Sequence, residues 1–141
     1  MTGTIDFHMH YTPEEMVAPF LGPGSSTSLL EQDGIPRYTL HEGLFRIDRH
    51  LECMDAAGVD VGVLSSGAGM GGDAAACACV NAALATVARE YPARFRPLAH
   101  IDPQDAGWRD ELRRCTDDYG FTGLALPTSF GGVRLDSPVK P

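Results

Sequence analysis

TIDFHMHYTP, residues 4–13, places Asp6, His8 and His10 at every second position of an otherwise apolar run. On a β-strand, side chains at i, i+2 and i+4 share a face. A strand here sets one carboxyl and two imidazoles on the same side, and Pro13 ends the pattern. Two imidazoles so placed can both direct a nitrogen at one ion, at about 2.0–2.1 Å. Asp6, one pleat further back, could then orient a histidine or an outer-shell group. The competing reading is a set of polar side chains bonded to backbone or water.

The chain has 141 residues, 43% hydrophobic and 21% charged, the proportions of one ordinary globular domain spanning 1–141. A net charge of -8 argues against nucleic acid, which needs a basic surface. No apolar run approaches the roughly 18 residues of a membrane span. The N-terminus lacks the basic and apolar segments of a signal peptide. Cys53, Cys77, Cys79 and Cys115 include no CxxC pair, which suits structural thiols of a reducing compartment. A cytoplasmic protein is expected.

Working outward from the first strand, Tyr11 to about Tyr38 holds Pro13, Gly22, Pro23, Gly24, a Ser/Thr cluster and Pro36. It reads as a long loop without long regular elements, of a length that tends to be functional or disordered. Thr39 and Glu42 form a capping box that predicts a helix from Thr39, with Leu40, Leu44, Ile47, Leu51 and Met54 as its apolar stripe. Gly58 is its stop. Val59–Ser65 (VDVGVLS) suits a buried strand. A second helix follows, capped by Asp73, with Ala76, Val80, Leu84, Val87 and Tyr91 along one face. FRPLAHI is a third strand despite Pro97. A third helix carries Trp108, Leu112, Cys115 and Tyr119, Gly120 closes it, and FTGLAL is a fourth strand. Beyond Pro127 no element is predicted. Alternating strands and helices imply a parallel sheet. Four strands are too few for a complete eight-stranded barrel of about 250 residues.

IDFHMHYTP resembles the opening strand of the amidohydrolase superfamily, in its amidohydrolase-related branch, which includes aminocarboxymuconate-semialdehyde decarboxylase and γ-resorcylate decarboxylase. HLECMDAAGVDVGVLS, VNAALATVAREYPARFRPLAHIDPQD and ELRRCTDDYGFTGLALPTSFGGVRLDSP resemble that branch's following elements, in order, over nearly the whole chain. The resemblance implies the N-terminal half, about four βα units, of a (β/α)8 barrel. It implies a divalent metal, usually Zn2+, at the carboxyl ends of the strands, with His8 and His10 as the first-strand ligands. The later His and Asp ligands, and the catalytic acid/base residues of the second half, have no counterpart here. The implied reaction is hydrolysis or non-oxidative decarboxylation of a small carboxylated substrate. The alternative is a catalytically incomplete binding or assembly subunit.

His100, at the end of the third strand, is a candidate third ligand or a strand-end polar residue bonded within the protein. His41 and His50 are expected at the surface or in packing. Arg37, Arg46 and Arg49 could clamp a carboxylate or be solvated helix charges. Gly67, Gly69 and Gly72 satisfy GxGxxG after a strand, the dinucleotide spacing. Glu90 falls at a helix end, however, and a loop at the rim of the site, opened by Ser65 and Ser66, is the better reading. An open four-stranded sheet leaves edges uncovered. The chain is therefore expected to be a piece of a longer enzyme, a component completed by a second chain, or a half-barrel that associates with itself.

Overall fold

The computed structural model describes residues 3–32, 34–130 and 133–136. In chain order its elements are β1 (Ile5–His10), α1 (Glu14–Val17), β2 (Thr27–Gln32), β3 (Ile35–His41), α2 (Ile47–Ala57), β4 (Val61–Ser65), α3 (Ala74–Glu90), β5 (Phe95–Ala99), α4 (Trp108–Arg113), β6 (Gly123–Leu124), β7 (Ser129–Phe130) and β8 (Val133–Arg134). The apolar runs at β1, β4, β5 and β6 pair in that order, each parallel to the next. This is the four-stranded α/β architecture expected from the alternation of elements.

The helices cover one side of the sheet with the stripes read from sequence. Met54 of α2, Val80, Leu84 and Val87 of α3, and Cys115 beyond α4 close on Leu64 of β4, Phe95 and Ala99 of β5, and Phe121. Gly58 ends α2 at φ 68°. Its N–H donates to Asp55 O and the Val59 N–H to Met54 O, the paired bonds of a Schellman cap. Asp73 caps α3, its Oδ1 accepting from Ala76 N at 2.8 Å. The turn after α4, Arg114–Asp118, widens into a π-type turn before Gly120 reverses the chain.

Three expectations are corrected. The segment from Tyr11 to Tyr38 is not an irregular loop: it holds α1, a 3-10 turn at Ala18–Phe20 and most of a β-hairpin of β2 and β3. Two β-prone runs pair antiparallel, with Gln32 opposite Ile35, and Pro36 is absorbed at a register shift between Leu30 and Glu31. Thr39 is therefore no helix cap. It lies in β3 opposite Leu29, and α2 begins at Ile47 after a 3-10 turn, Glu42–Leu44. Beyond Pro127, β7 and β8 form a short hairpin where none is predicted.

Among the described residues, β1 and β6 each pair on one side only. Phe7 is 75% exposed and Ile5 51% exposed on β1. No helix among the described residues is long and apolar enough to cross a membrane.

Candidate functional site

β1 carries a bulge. Asp6 lies opposite Gly62 but Met9 lies opposite Leu64, so one extra residue enters β1 between them. The bulged backbone finds a local partner: His8 N–H donates to Asp6 Oδ1 at 2.9 Å. Asp6 thus spends one carboxylate oxygen on the backbone of a histidine, and no hydrogen bond joins it to either imidazole. His8, within the bulge, and His10, beyond it, bring their rings together. Their Nε2 atoms are 3.0 Å apart and their rings meet edge to face at 86°. Burial, then the neighbouring His8, lowers the pKa of His10 and favours the neutral ring.

The end of β4 is fastened on both flanks. His10 and Ser65 are register partners, and Tyr11 N–H donates to Ser65 O at 2.8 Å. The Ser65 hydroxyl lies 3.2 Å from His10 Nδ1. Next along the chain, Ser66 is fully buried, its hydroxyl 3.0 Å from that of Thr12. Ser66 N–H donates to His100 Nε2 at 3.0 Å. That bond takes the lone pair a metal would need, so the proton of neutral His100 sits on Nδ1 and the ring acts as an internal acceptor. Burial lowers the His100 pKa to about 4, which keeps it neutral. His100 therefore braces the site instead of lining its rim, as does Ser66. Ser65 is the one of the three in contact with a candidate ligand.

Behind His100 is a residue that sequence reading passes over. Asn81 of α3 is fully buried, its Oδ1 accepting from His100 N at 2.9 Å and its Nδ2 donating to His100 O at 2.8 Å. The same Nδ2 donates to Glu111 Oε1 at 2.7 Å, and Arg114 forks onto that carboxylate at 2.7 and 3.0 Å. A lone amide in an alanine-rich helix is the one sequence signal of this brace. The glycine loop belongs to it too. A Cβ on Gly69 would stand 2.5 Å from His100 Cδ2, and one on Gly72 would collide with the Ala68 carbonyl. Packing thus accounts for two glycines of the GxGxxG spacing.

Above the strand ends lies a cavity of about 650 Å³. His10 and Thr12 meet it from below, Met16 and Phe20 from the α1 segment, Leu40 from the hairpin and Ala68 from the glycine loop. Its walls are mostly apolar, with an imidazole at the base. Arg46 and Arg49 do not reach it as free cations: Arg46 forks onto Asp48 at 2.9 and 2.6 Å, and Arg49 pairs with Glu52 at 2.9 Å. The side chain of Arg37 lies outside the described residues. His41 is exposed and His50 half-buried. All four cysteines are free. Burial pushes Cys77 up to about 11 and Cys115 up to about 12, so both remain thiols and poor ligands.

The donor set can be tested against the metal that the resemblance implies. Two nitrogens about 2.0–2.1 Å from one ion, in a roughly tetrahedral site, stand about 3.3–3.4 Å apart. The observed 3.0 Å separation is slightly shorter, so the pair would share an ion after a small opening of the two rings. Among the described residues, no group of three or more His, Cys, Asp or Glu side chains converges. The pair fits as part of a ligand set, not as a closed one.

Comparison with known proteins follows the same lines. A family model described as Amidohydrolase matches residues 5–140. No curated protein matches the chain. Among solved structures, 5-carboxyvanillate decarboxylase from Sphingomonas paucimobilis aligns over 98% of this chain and 46% of its own, with TM-score 0.72 and 19% identity. 2,6-Dihydroxybenzoate decarboxylase from Rhizobium aligns over 96% of this chain and 42% of its own, at 0.69 and 23%. A dihydroxybenzoic acid decarboxylase from Polaromonas sp. JS666, with bound manganese and the inhibitor 2-nitroresorcinol, aligns over 88% and 38%, at 0.58 and 26%. The chain spans less than half of each of these structures, and its sheet is a partial barrel of their fold.

Proposed function

Because the chain belongs to the amidohydrolase family, we propose that it is the metal-binding N-terminal half of a (β/α)8 enzyme that hydrolyses or decarboxylates a small carboxylated substrate. The observation that carries this reading is the His8–His10 pair, its Nε2 atoms 3.0 Å apart at the carboxyl end of a parallel sheet. Sites in parallel α/β folds gather at that end. The manganese bound by the Polaromonas relative supports a divalent ion in this fold. Zinc is the ion proposed here, since paired imidazole nitrogens suit it.

His8 and His10 would hold the ion through Nε2. When bound, it would supply Lewis-acid chemistry, activating water for hydrolysis or stabilising charge on a carboxylated substrate. The protein supplies the rest. Burial keeps His10 neutral and able to ligate, and the strand pairing of His10 with Ser65 fixes its position. The apolar walls of the cavity exclude water around a bound substrate and take its non-carboxylate portion. The remaining ligands and the acid/base groups would come from the part of the barrel that this sheet lacks, joined in the same chain, in a second chain or in a second copy.

A second reading is a catalytically incomplete assembly subunit. Two observations favour it: no three-donor cluster converges among the described residues, and the exposed Phe7 lies on a β1 paired on one side only. Zinc titration against a chromophoric chelator separates the two. The metalloenzyme reading expects one ion per chain, lost in both His8→Ala and His10→Ala. Absence of zinc binding, together with metal-independent association with itself or a partner half, overturns it in favour of the subunit.

A further inference from the structure

The Ser65 hydroxyl stands where it can decide which His10 nitrogen is free. Its oxygen is 3.2 Å from His10 Nδ1 and 3.5 Å from the Met9 carbonyl oxygen. A serine hydroxyl has one proton and two lone pairs. With that proton directed at the Met9 carbonyl, the oxygen accepts from His10 Nδ1–H. Nε2 of His10 is then unprotonated and faces His8.

We infer that Ser65 is a positioning residue that holds His10 as its Nδ1–H tautomer and aims Nε2 at the site it shares with His8. The inference rests on the reading of His8 and His10 as metal ligands. Ligating histidines ordinarily donate their second nitrogen to an oxygen, and losing that partner costs about 10–100-fold in metal affinity.

Three features of the fold preorganise this hydroxyl. β4 pairs Ser65 directly with His10, so donor and acceptor share one rung of the ladder. Tyr11 N–H holds the Ser65 carbonyl from the β1 side. The next peptide is held from the β5 side by the bond from Ser66 N–H to His100 Nε2, and His100 is itself clasped by Asn81. Two neighbouring strands thus fix the backbone that carries one oxygen. Among the described residues, no oxygen hydrogen-bonds to a His8 ring nitrogen; in the metal-free pair His8 donates from Nε2 to the unprotonated Nε2 of His10, so Ser65 sets both rings through His10.

The test uses the full chain, with zinc as the probe. Zinc affinity is measured by chelator competition, and the tautomer of His10 by 15N-imidazole NMR of metal-free protein. Ser65→Ala is expected to weaken zinc about 10–100-fold and to shift metal-free His10 away from the Nδ1–H form, with an unchanged circular-dichroism spectrum. Ser65→Thr, which keeps the hydroxyl, restores both. If Ser65→Ala fails to fold, Ser65→Cys preserves volume with a poorer acceptor and gives the same two readouts. Wild-type zinc affinity and an unchanged tautomer in the folded variant overturn the assignment of Ser65 alone. Wild-type protein that binds no zinc while its His10 tautomer still depends on Ser65 overturns the metal reading instead.

Discussion

Asn81→Leu removes a buried amide while keeping the branching and heavy-atom count of the side chain, so the loss of hydrogen bonds is not compounded by a cavity. In the native protein Asn81 satisfies both backbone groups of His100, at 2.9 and 2.8 Å, and also donates to Glu111 at 2.7 Å. His100 and Asn81 are both fully buried, so water cannot replace the lost bonds. Each orphaned backbone group costs about 1–3 kcal/mol, about 2–6 kcal/mol for the pair. Burial of the leucine side chain returns about 1–2 kcal/mol. The mid-range values leave a net loss of about 2–3 kcal/mol, a large share of the roughly 5–15 kcal/mol that ordinary domains possess. In urea, at a slope of about 2 kcal/mol per molar, the unfolding midpoint should fall by about 1–2 M. Zinc affinity should fall as well, since His100 braces the peptide after Ser65. A variant as stable as wild type would refute the reasoning and show that the His100 backbone finds other partners.

Acid should destabilise the chain through His100. Its native pKa, about 4, lies below the unfolded value of 6.5, so between pH about 6.5 and about 4 the unfolded chain takes up a proton that the native state refuses. Stability is complete above pH 6.5 and falls across that window, by up to about 3 kcal/mol from this group. Urea midpoints against pH should show this slope in wild type and a reduced slope in His100→Gln, the remainder coming from the half-buried His10 and His50. Gly69→Ala drives a methyl to within 2.5 Å of the braced His100 ring, and calorimetry should find it less stable by about 1–3 kcal/mol. Asp73→Ala, which removes the acceptor of Ala76 N–H, should cost about 1 kcal/mol by the same measurement.

The parallel sheet was legible because its strands carry period-2 or continuous apolar runs, and α3 because Asp73 and the Val80–Leu84–Val87 stripe agree with each other. The hairpin over the cavity was not. Glycines and prolines on both sides of the segment suggested irregularity, and the one strong hairpin signal, Asp33-Gly34, lay among them. Thr39 and Glu42 satisfied a local capping rule, but strand pairing with Leu29 outweighed it. The histidine pair followed from alternation alone. The turn of Asp6 toward the His8 backbone did not, because a bulge arises from the fit of β1 against β4 and leaves no mark on a single strand. The brace of Asn81 and His100 joins positions 19 apart, and no periodicity couples an amide on a helix to a backbone beyond the next strand.

X-ray absorption at the zinc edge of the zinc-loaded chain tests most directly that two adjacent imidazoles share one ion. The account predicts nitrogen scatterers at about 2.0–2.1 Å with the outer-shell pattern of two imidazole rings, and no retained zinc in His10→Ala. A wild-type spectrum without imidazole scattering, or a chain that retains no zinc after gel filtration, would contradict it.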